Sequence, residues 1–181
     1  MIKKYRVQII YLTIVLVLFL YFTPRQMDYY LENDIKSFKA KYLLSILIGI
    51  WSVIMFLVVI VIIRYYESII QSIKIFIYWA VIVSFYLFVF HSIILATVLF
   101  VNRQFKKESV SRSYVANYLV GDTKSKENFR PYSVIEHETA YDKKLINKLY
   151  KSSLKQSDTL LLTLNEGLFG ILYSSEPMND K

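Results

Sequence analysis

The hydrophobic positions of this chain are concentrated in three long runs within residues 1–101. The runs are Val7–Phe22, Tyr42–Ile63 and Ile75–Val101, and none of them contains Asp, Glu, Lys or Arg. A helix of about 18 or more apolar residues is long enough to cross the hydrocarbon core of a bilayer. The pattern therefore predicts an α-helical integral membrane protein with three transmembrane helices, in a membrane domain over residues 1–101. The short connector Arg64–Lys74 predicts that spans two and three form an antiparallel hairpin.

The segment between the first two runs contains both apolar and charged residues, and the apolar ones recur with a helical period. Met27, Leu31, Ile35 and Phe38 recur at helical spacing, while acidic and basic residues lie on the opposite side. This spacing favours an amphipathic helix over residues 24–40 that lies in the membrane interface. The alternative is an ordinary polar loop with scattered apolar residues.

Beyond the third run the composition changes completely, and shorter elements are predicted. Residues 102–112 are expected to form a basic juxtamembrane linker, and residues 113–181 a small α+β domain of ββαββ type. Its predicted strands and helix are Tyr114–Val120, Phe129–His137, the helix Tyr141–Leu154, and the hairpin strands Thr159–Leu164 and Leu168–Tyr173. A module of this size buries only a marginal core, so we expect it to rely on the membrane domain or on a partner.

The formal net charge of +8 changes this picture little, because most cations of the membrane domain flank the apolar runs. Cations at these positions are typical of contact with lipid headgroups, so the predicted partner is the bilayer and nucleic acid is not expected. The chain has no cysteine, which excludes disulfides and thiolate metal sites. We expect no cofactor and no metal.

The amino terminus combines a basic start with a short apolar run, as a secretory signal does. The run ends Tyr21-Phe22-Thr23-Pro24 and offers no small-residue cleavage site, so we expect it to stay as an anchor helix. The composition suggests a bacterial inner membrane. Lys and Arg near the spans number eight on one side and five on the other if the carboxyl end is inside, which favours a cytoplasmic tail. The dense group Lys3, Lys4 and Arg6 argues for the opposite orientation.

One histidine lies at membrane depth, in the third run. His91 shares a helix face with Ala80 and Ser84, and Ser45, Gly49 and Ser52 form a comparable small-residue stripe on the second run. Small residues allow helices to approach, and Ser or His can hydrogen-bond across the contact. We therefore expect His91 to be a neutral packing residue between spans two and three. A proton relay or a haem ligand is the alternative role.

The tail offers little catalytic chemistry. Glu136-His137-Glu138 is an acid–base cluster without the spacing that places two histidines on one zinc. The aromatic residues of the predicted sheet present two alternatives: they form a surface for a partner, or they are the core of the module. These residues are Tyr114, Tyr118, Phe129 and Tyr132.

These patterns together predict a non-catalytic membrane subunit or anchor. Its helices are expected to dock into a larger membrane complex, made with other membrane-protein subunits or with further copies of the chain. The carboxyl-terminal domain is expected to contact a partner. The alternative function is a small homo-oligomeric channel or transport component, and an enzyme comes third.

Overall fold

The structure is a computed structural model of the chain, and it describes residues 2–66, 68–117, 129–134, 138–139, 142–151 and 158–178. The described chain is mostly helical, with a small antiparallel sheet near its carboxyl end. Three helical stretches are long and apolar enough to cross a membrane: Val7–Met27, Glu32–Tyr65 and Ile69–Gln104. The three long apolar helices predicted from the sequence are therefore present.

The helical elements follow one another closely. They are α1 (Ile2–Val17), a π-helical turn (Leu18–Phe22), α2 (Thr23–Met27), α3 (Glu32–Phe38), a second π-helical turn (Lys39–Leu43), α4 (Leu44–Tyr65) and α5 (Ile69–Gln104). The first π-helical turn ends two residues before Pro24, whose ring nitrogen cannot donate a backbone hydrogen bond. The helix continues past this proline to Met27. The first span, Val7–Met27, therefore extends past the apolar run, which ends at Phe22.

The segment for which the sequence predicts one interfacial helix, residues 24–40, is divided. A turn at residues 28–31 separates α2 from α3. Tyr30 and Leu31 in this turn are buried, and Leu31 belongs to the same hydrophobic core as Tyr114 and Leu145. The helix is interrupted here because these apolar side chains contact the carboxyl-terminal module.

The carboxyl-terminal elements form one sheet and one helix. They are β1 (Ser109–Val115), β2 (Tyr132–Ser133), β3 (Glu138–Thr139), α6 (Lys143–Lys151), β4 (Thr159–Glu166) and β5 (Leu172–Tyr173). The strand order is β3-β2-β1-β4-β5, and all neighbours are antiparallel. β1 begins at Ser109, inside the segment that the sequence predicts to be a linker. Its Ser-Val-Ser-Arg-Ser sequence alternates, so the serines share one face of the strand, and a strand with such a polar face resembles a linker in the sequence.

The chain divides into two compact units. One unit comprises residues 1–37 and 96–181, and the other comprises residues 38–95. The core of the first unit lies between the sheet and α6, and Leu31 joins it from the amino-terminal half of the chain.

The second unit contains the hairpin formed by α4 and by the part of α5 up to Leu95. Met55, Ile62 and Val83 are buried in it. The indole Nε1 of Trp51 on α4 donates a hydrogen bond of 3.1 Å to Ser84 Oγ on α5. The antiparallel pairing expected for spans two and three is thus held by apolar packing and by this polar contact across the helices.

Candidate functional site

A buried asparagine at the end of α5 joins the long helix to the carboxyl-terminal module. Asn102 is fully buried, and its Nδ2 donates to the backbone oxygen of Ile171 at 3.0 Å and to the Tyr30 hydroxyl at 3.2 Å. Its Oδ1 accepts from the backbone N–H of Phe169 at 2.7 Å, and its own backbone oxygen accepts from Leu168 at 3.1 Å. One side chain therefore satisfies backbone groups of the β4–β5 turn and a side chain from the amino-terminal half.

Tyr30 forms the second part of this contact. Its hydroxyl donates to the backbone oxygen of Leu99 at 2.5 Å while accepting from Asn102, and its ring lies 6.1 Å from that of Tyr173. Complete burial disfavours the phenolate and raises the pKa of Tyr30 to about 12. The phenol therefore stays protonated, and its hydroxyl can donate the hydrogen bond to the Leu99 backbone oxygen on α5.

A buried lysine ties α6 to the same segment. Lys144 Nζ donates to the backbone oxygens of Met27 at 2.5 Å and Tyr30 at 3.5 Å, and lies 3.7 Å from Asp28 Oδ1. The Met27 carbonyl ends α2, where a cation is favoured by the helix dipole. Asp142 caps α6 through its Oδ1, which accepts from the backbone N–H groups of residues 144 and 145.

Further bonds run between the amino-terminal turn and the module. The backbone N–H groups of Ser174 and Met178 donate to the oxygens of Tyr29 and Asp28, both at 2.8 Å. The Arg103 guanidinium lies 3.6 Å from the centre of the Tyr29 ring, close enough for a cation–π interaction. We call this set of contacts between residues 26–34, residues 99–103 and the module the joint. Its polar groups bond to one another and to backbone, so its chemistry is suited to fixing geometry.

The sheet has a buried face and an open face, and the open face is the candidate docking surface. Tyr114, Leu162 and Leu164 point into the core. The alternate positions point outward, and among them Leu161 is 69% exposed. Ser113 lies between Leu161 on one neighbouring strand and Val134, whose N–H donates to Ser113, on the other side. We call the exposed apolar residues of this face, Tyr132, Val134 and Leu161, the outer-face patch.

The β4–β5 turn carries a second group of exposed apolar residues. Leu168 and Phe169 are exposed although their backbone N–H groups are bonded to Asn102, and Phe105 just after α5 is exposed as well. These side chains therefore lie at the level of the last turn of α5.

The structure separates the residues of the predicted helix-packing face. Ser84 lies at the α4–α5 contact, bonded to Trp51 and to the Ala80 backbone oxygen. His91 bonds within its own helix: Nδ1 lies 2.7 Å from the Phe88 backbone oxygen. Since a carbonyl oxygen only accepts, this Nδ1 carries a hydrogen. Its Nε2 lies 3.3 Å from the hydroxyl of the adjacent Ser92.

The small-residue stripe of α4 lies elsewhere. Ser45, Gly49 and Ser52 are exposed, and a Cβ built on Gly49 would meet no atom within 4 Å. The face of α4 that is buried in the hairpin carries Met55 and Ile62 instead. The stripe is therefore open to contact from outside the chain.

The aromatic residues proposed as a partner surface are also divided. Tyr114 and Phe129 lie in the core of the module, Tyr132 is exposed on the open face, and Tyr118 lies outside the described residues. Glu136 and His137 of the predicted acid–base cluster lie outside them too. Within the described ranges, no three His, Cys, Asp or Glu residues are grouped so that they could hold a metal.

The joint residues were missed by sequence reasoning. Asn102 is the first polar residue after the third apolar run, and a buried amide there has no distinctive pattern. Comparison of the chain with protein-family models, with curated proteins and with solved structures finds no match.

Proposed function

We propose that this chain is a non-catalytic integral membrane subunit. Its three apolar helices cross the bilayer, the joint holds the carboxyl-terminal module at the membrane surface, and the outer-face patch binds a partner protein. The observation that carries the proposal is the combination of a module tied to α5 by a buried polar network with an apolar patch left open on its sheet.

The joint supports this membrane arrangement. Two further crossings, by α4 and α5, return the chain to the side of the membrane on which residues 26–34 lie. The module must then be on that side as well, which agrees with its direct contacts to Tyr29, Tyr30 and Leu31. The exposed Leu168 and Phe169 beside Asn102 would enter the interface at the same level.

The charge distribution supports a cytoplasmic module. The loop before α4 and the chain after α5 each carry four Lys or Arg residues near the spans, against three in the amino tail and two in the α4–α5 connector. Placing the eight cations inside follows the positive-inside rule. Because the chain has no cysteine, a single cysteine at Ser175 can be tested with a membrane-impermeant maleimide. Labelling in intact cells would place the module outside and contradict this orientation.

The open faces support assembly with other subunits. Leu161 is exposed on a sheet face that the described part of the chain leaves open, and the Ser45, Gly49 and Ser52 stripe is exposed on α4. Small residues on an exposed transmembrane face allow close approach of another helix. The patch and the stripe thus offer one contact site outside the bilayer and one within it.

Purification in mild detergent from native membranes tests the proposal. We expect the wild-type chain to migrate as a larger complex with a stoichiometric partner, and Leu161→Glu to release the partner while remaining in the membrane. Ser175→Glu, which introduces the same charge at an exposed position off the sheet, should keep the complex. A wild-type chain that migrates alone, or a complex that survives Leu161→Glu, would contradict the role of the patch.

The stripe also supports a second candidate, a small homo-oligomeric channel or transport component. In that case the copies would meet at Gly49, and the purified chain would form an oligomer of itself. Ion or solute flux in proteoliposomes that is lost on His91→Leu would favour this candidate over the subunit.

A further inference from the structure

An apolar groove opens between α4 and α5 at the connector end of the hairpin. It encloses a cavity of about 240 Å³. Ile54, Val58, Ile62 and Tyr66 line one wall at intervals of four residues, and Ile75 and Trp79 line the other. All of these residues belong to the unit of residues 38–95, so the groove is a feature of the hairpin alone. We call it the hairpin groove.

The length of the hairpin groove matches one leaflet of a bilayer. Twelve residues separate Ile54 from Tyr66, which corresponds to a rise of about 18 Å along a helix. Half of the hydrocarbon core of a typical bilayer is about 15 Å thick. A lipid acyl chain occupies one leaflet, so its length matches that of the groove, whereas a transmembrane helix of another subunit would extend past the groove into the other leaflet.

The end of the hairpin groove near the connector has the chemistry of the headgroup region. Tyr66 is 40% exposed and Trp79 is 43% exposed, and aromatic residues of this kind are enriched at the membrane–water interface. Arg64 lies in the last turn of α4, and Lys74 lies next to the groove residue Ile75; both are exposed. The connector contains Glu67 as its one acidic residue, so its net charge remains positive.

We propose that the hairpin groove binds an anionic phospholipid, with one acyl chain along Ile54, Val58 and Ile62 and the phosphate at Arg64 and Lys74. This site rests on the membrane placement proposed above, but it does not depend on the partner of the outer-face patch. Basic pockets between transmembrane helices bind anionic headgroups at the cytoplasmic surface. In the orientation proposed above the connector lies on the side opposite the module, and the same attraction between basic side chains and anionic headgroups applies there. Here the apolar depth selects a lipid and the two cations select its charge.

The two tryptophans of the sequence allow a direct test. In Trp51→Phe, Trp79 is the remaining tryptophan and reports from the wall of the hairpin groove. The variant is reconstituted in phosphatidylcholine vesicles that contain an equal fraction of dibrominated phosphatidylglycerol or dibrominated phosphatidylcholine. Bromine on the acyl chain quenches a nearby indole, so a bound anionic lipid should quench Trp79 several-fold more effectively than the zwitterionic lipid.

Variants separate the two parts of the site. Adding Arg64→Gln and Lys74→Gln should abolish the preference for the anionic lipid, whereas Lys36→Gln with Lys39→Gln removes the same charge before α4 and should preserve it. Val58→Phe fills the groove and should reduce the preference while both cations remain. Circular dichroism checks that each variant keeps its helical content.

Each remaining outcome is decisive. Equal quenching of Trp79 by both brominated lipids would overturn the anionic site while still showing that the helix lies in the bilayer. A preference that persists without Arg64 and Lys74, or that persists in Val58→Phe, would also overturn the site. No quenching by either lipid would contradict the membrane placement itself, and thus the proposed function as well.

Discussion

Asn102 and Gly167 approach each other so closely that no side chain fits on residue 167. A Cβ built on Gly167 would lie 2.2 Å from Asn102 Nδ2 and 2.3 Å from the Asn102 backbone oxygen. The second of these atoms belongs to the backbone of α5 and cannot rotate away. The close approach lets the next N–H groups of the turn reach the oxygens of Asn102. A glycine at 167 is thus required by the contact between helix and module.

Gly167→Ala is expected to destabilise the module strongly. Forcing a methyl group into a packed site typically costs about 1–3 kcal/mol. The midpoint of thermal unfolding in detergent should fall relative to the wild type. Gly49→Ala is the matched control, because a Cβ there meets no atom within 4 Å and should leave the midpoint unchanged or raise it. Equal midpoints for Gly167→Ala and the wild type would show that the joint does not stabilise the fold.

Asn102→Leu keeps a side chain of similar size but removes its donors and its acceptor. The Phe169 N–H and the Ile171 oxygen would lose a buried partner, at a cost of about 1–3 kcal/mol for each unsatisfied group. We expect faster amide hydrogen exchange in the peptide that covers the β4–β5 turn. Gln104→Leu, on the same helix but at an exposed site, should not change the exchange.

We expect the stability of the folded protein to fall at alkaline pH because of Tyr30. The folded state raises the pKa of Tyr30 to about 12 from an ordinary value of 10.0, so the folded protein holds this proton more firmly. Its contribution to stability is complete below pH 10 and is lost as the pH rises towards 12. The loss amounts to roughly 2 kcal/mol for a shift of this size.

Comparison with Tyr30→Phe isolates this effect. We expect the variant to be less stable at neutral pH, because its ring cannot donate to Leu99. It should also lose less additional stability than the wild type between pH 10 and 12. Tyr132→Phe changes an exposed phenol and should keep the wild-type profile. Parallel profiles for the wild type and Tyr30→Phe would contradict the assignment.

Lys144→Met tests the contact between α6 and the amino-terminal turn. The substitution leaves the oxygens of Met27 and Tyr30 without their cationic donor, and we expect a loss of about 1–3 kcal/mol. Limited proteolysis should cut faster near residues 28–31. Lys143→Met removes the same charge from the exposed neighbouring position and should change stability by less than about 0.5 kcal/mol.

The long helices could be predicted because an uncharged run of sufficient length has few other stable states. The carboxyl-terminal helix and the first hairpin strand were also accessible, since Leu145 and Leu149 recur at helical spacing and β4 begins at Thr159 as predicted. The hairpin turn was placed too early, because residues 167–171 connect the strands and β5 begins at Leu172 instead of Leu168. β1 was placed too late, because a strand with serine on its outer face resembles a linker. Its pairing with β4 is decided by residues far along the chain, which local patterns do not contain.

The joint was inaccessible for a related reason. The sequence predicts Leu31 on the apolar side of an interfacial helix, and an apolar side chain is favoured equally at a membrane surface and in a protein core. Only the fold distinguishes them, by placing Leu31 in the core with Tyr114. Likewise, the stripe at Ser45, Gly49 and Ser52 indicates a close helix contact but not whether the contact lies within the chain. The structure leaves it exposed.

The participation of Leu31 in the carboxyl-terminal core sets an order of events during synthesis. Chains fold as they emerge from the amino end. The turn at residues 28–31 leaves the ribosome before α4 and α5, whereas the strands and helix that bury it are made last. Until Met178 has been translated, a newly inserted chain has an anchored but uncovered apolar turn. A ribosome that stalls before Met178 would leave this apolar turn uncovered, and the turn would then be accessible to membrane proteases and chaperones.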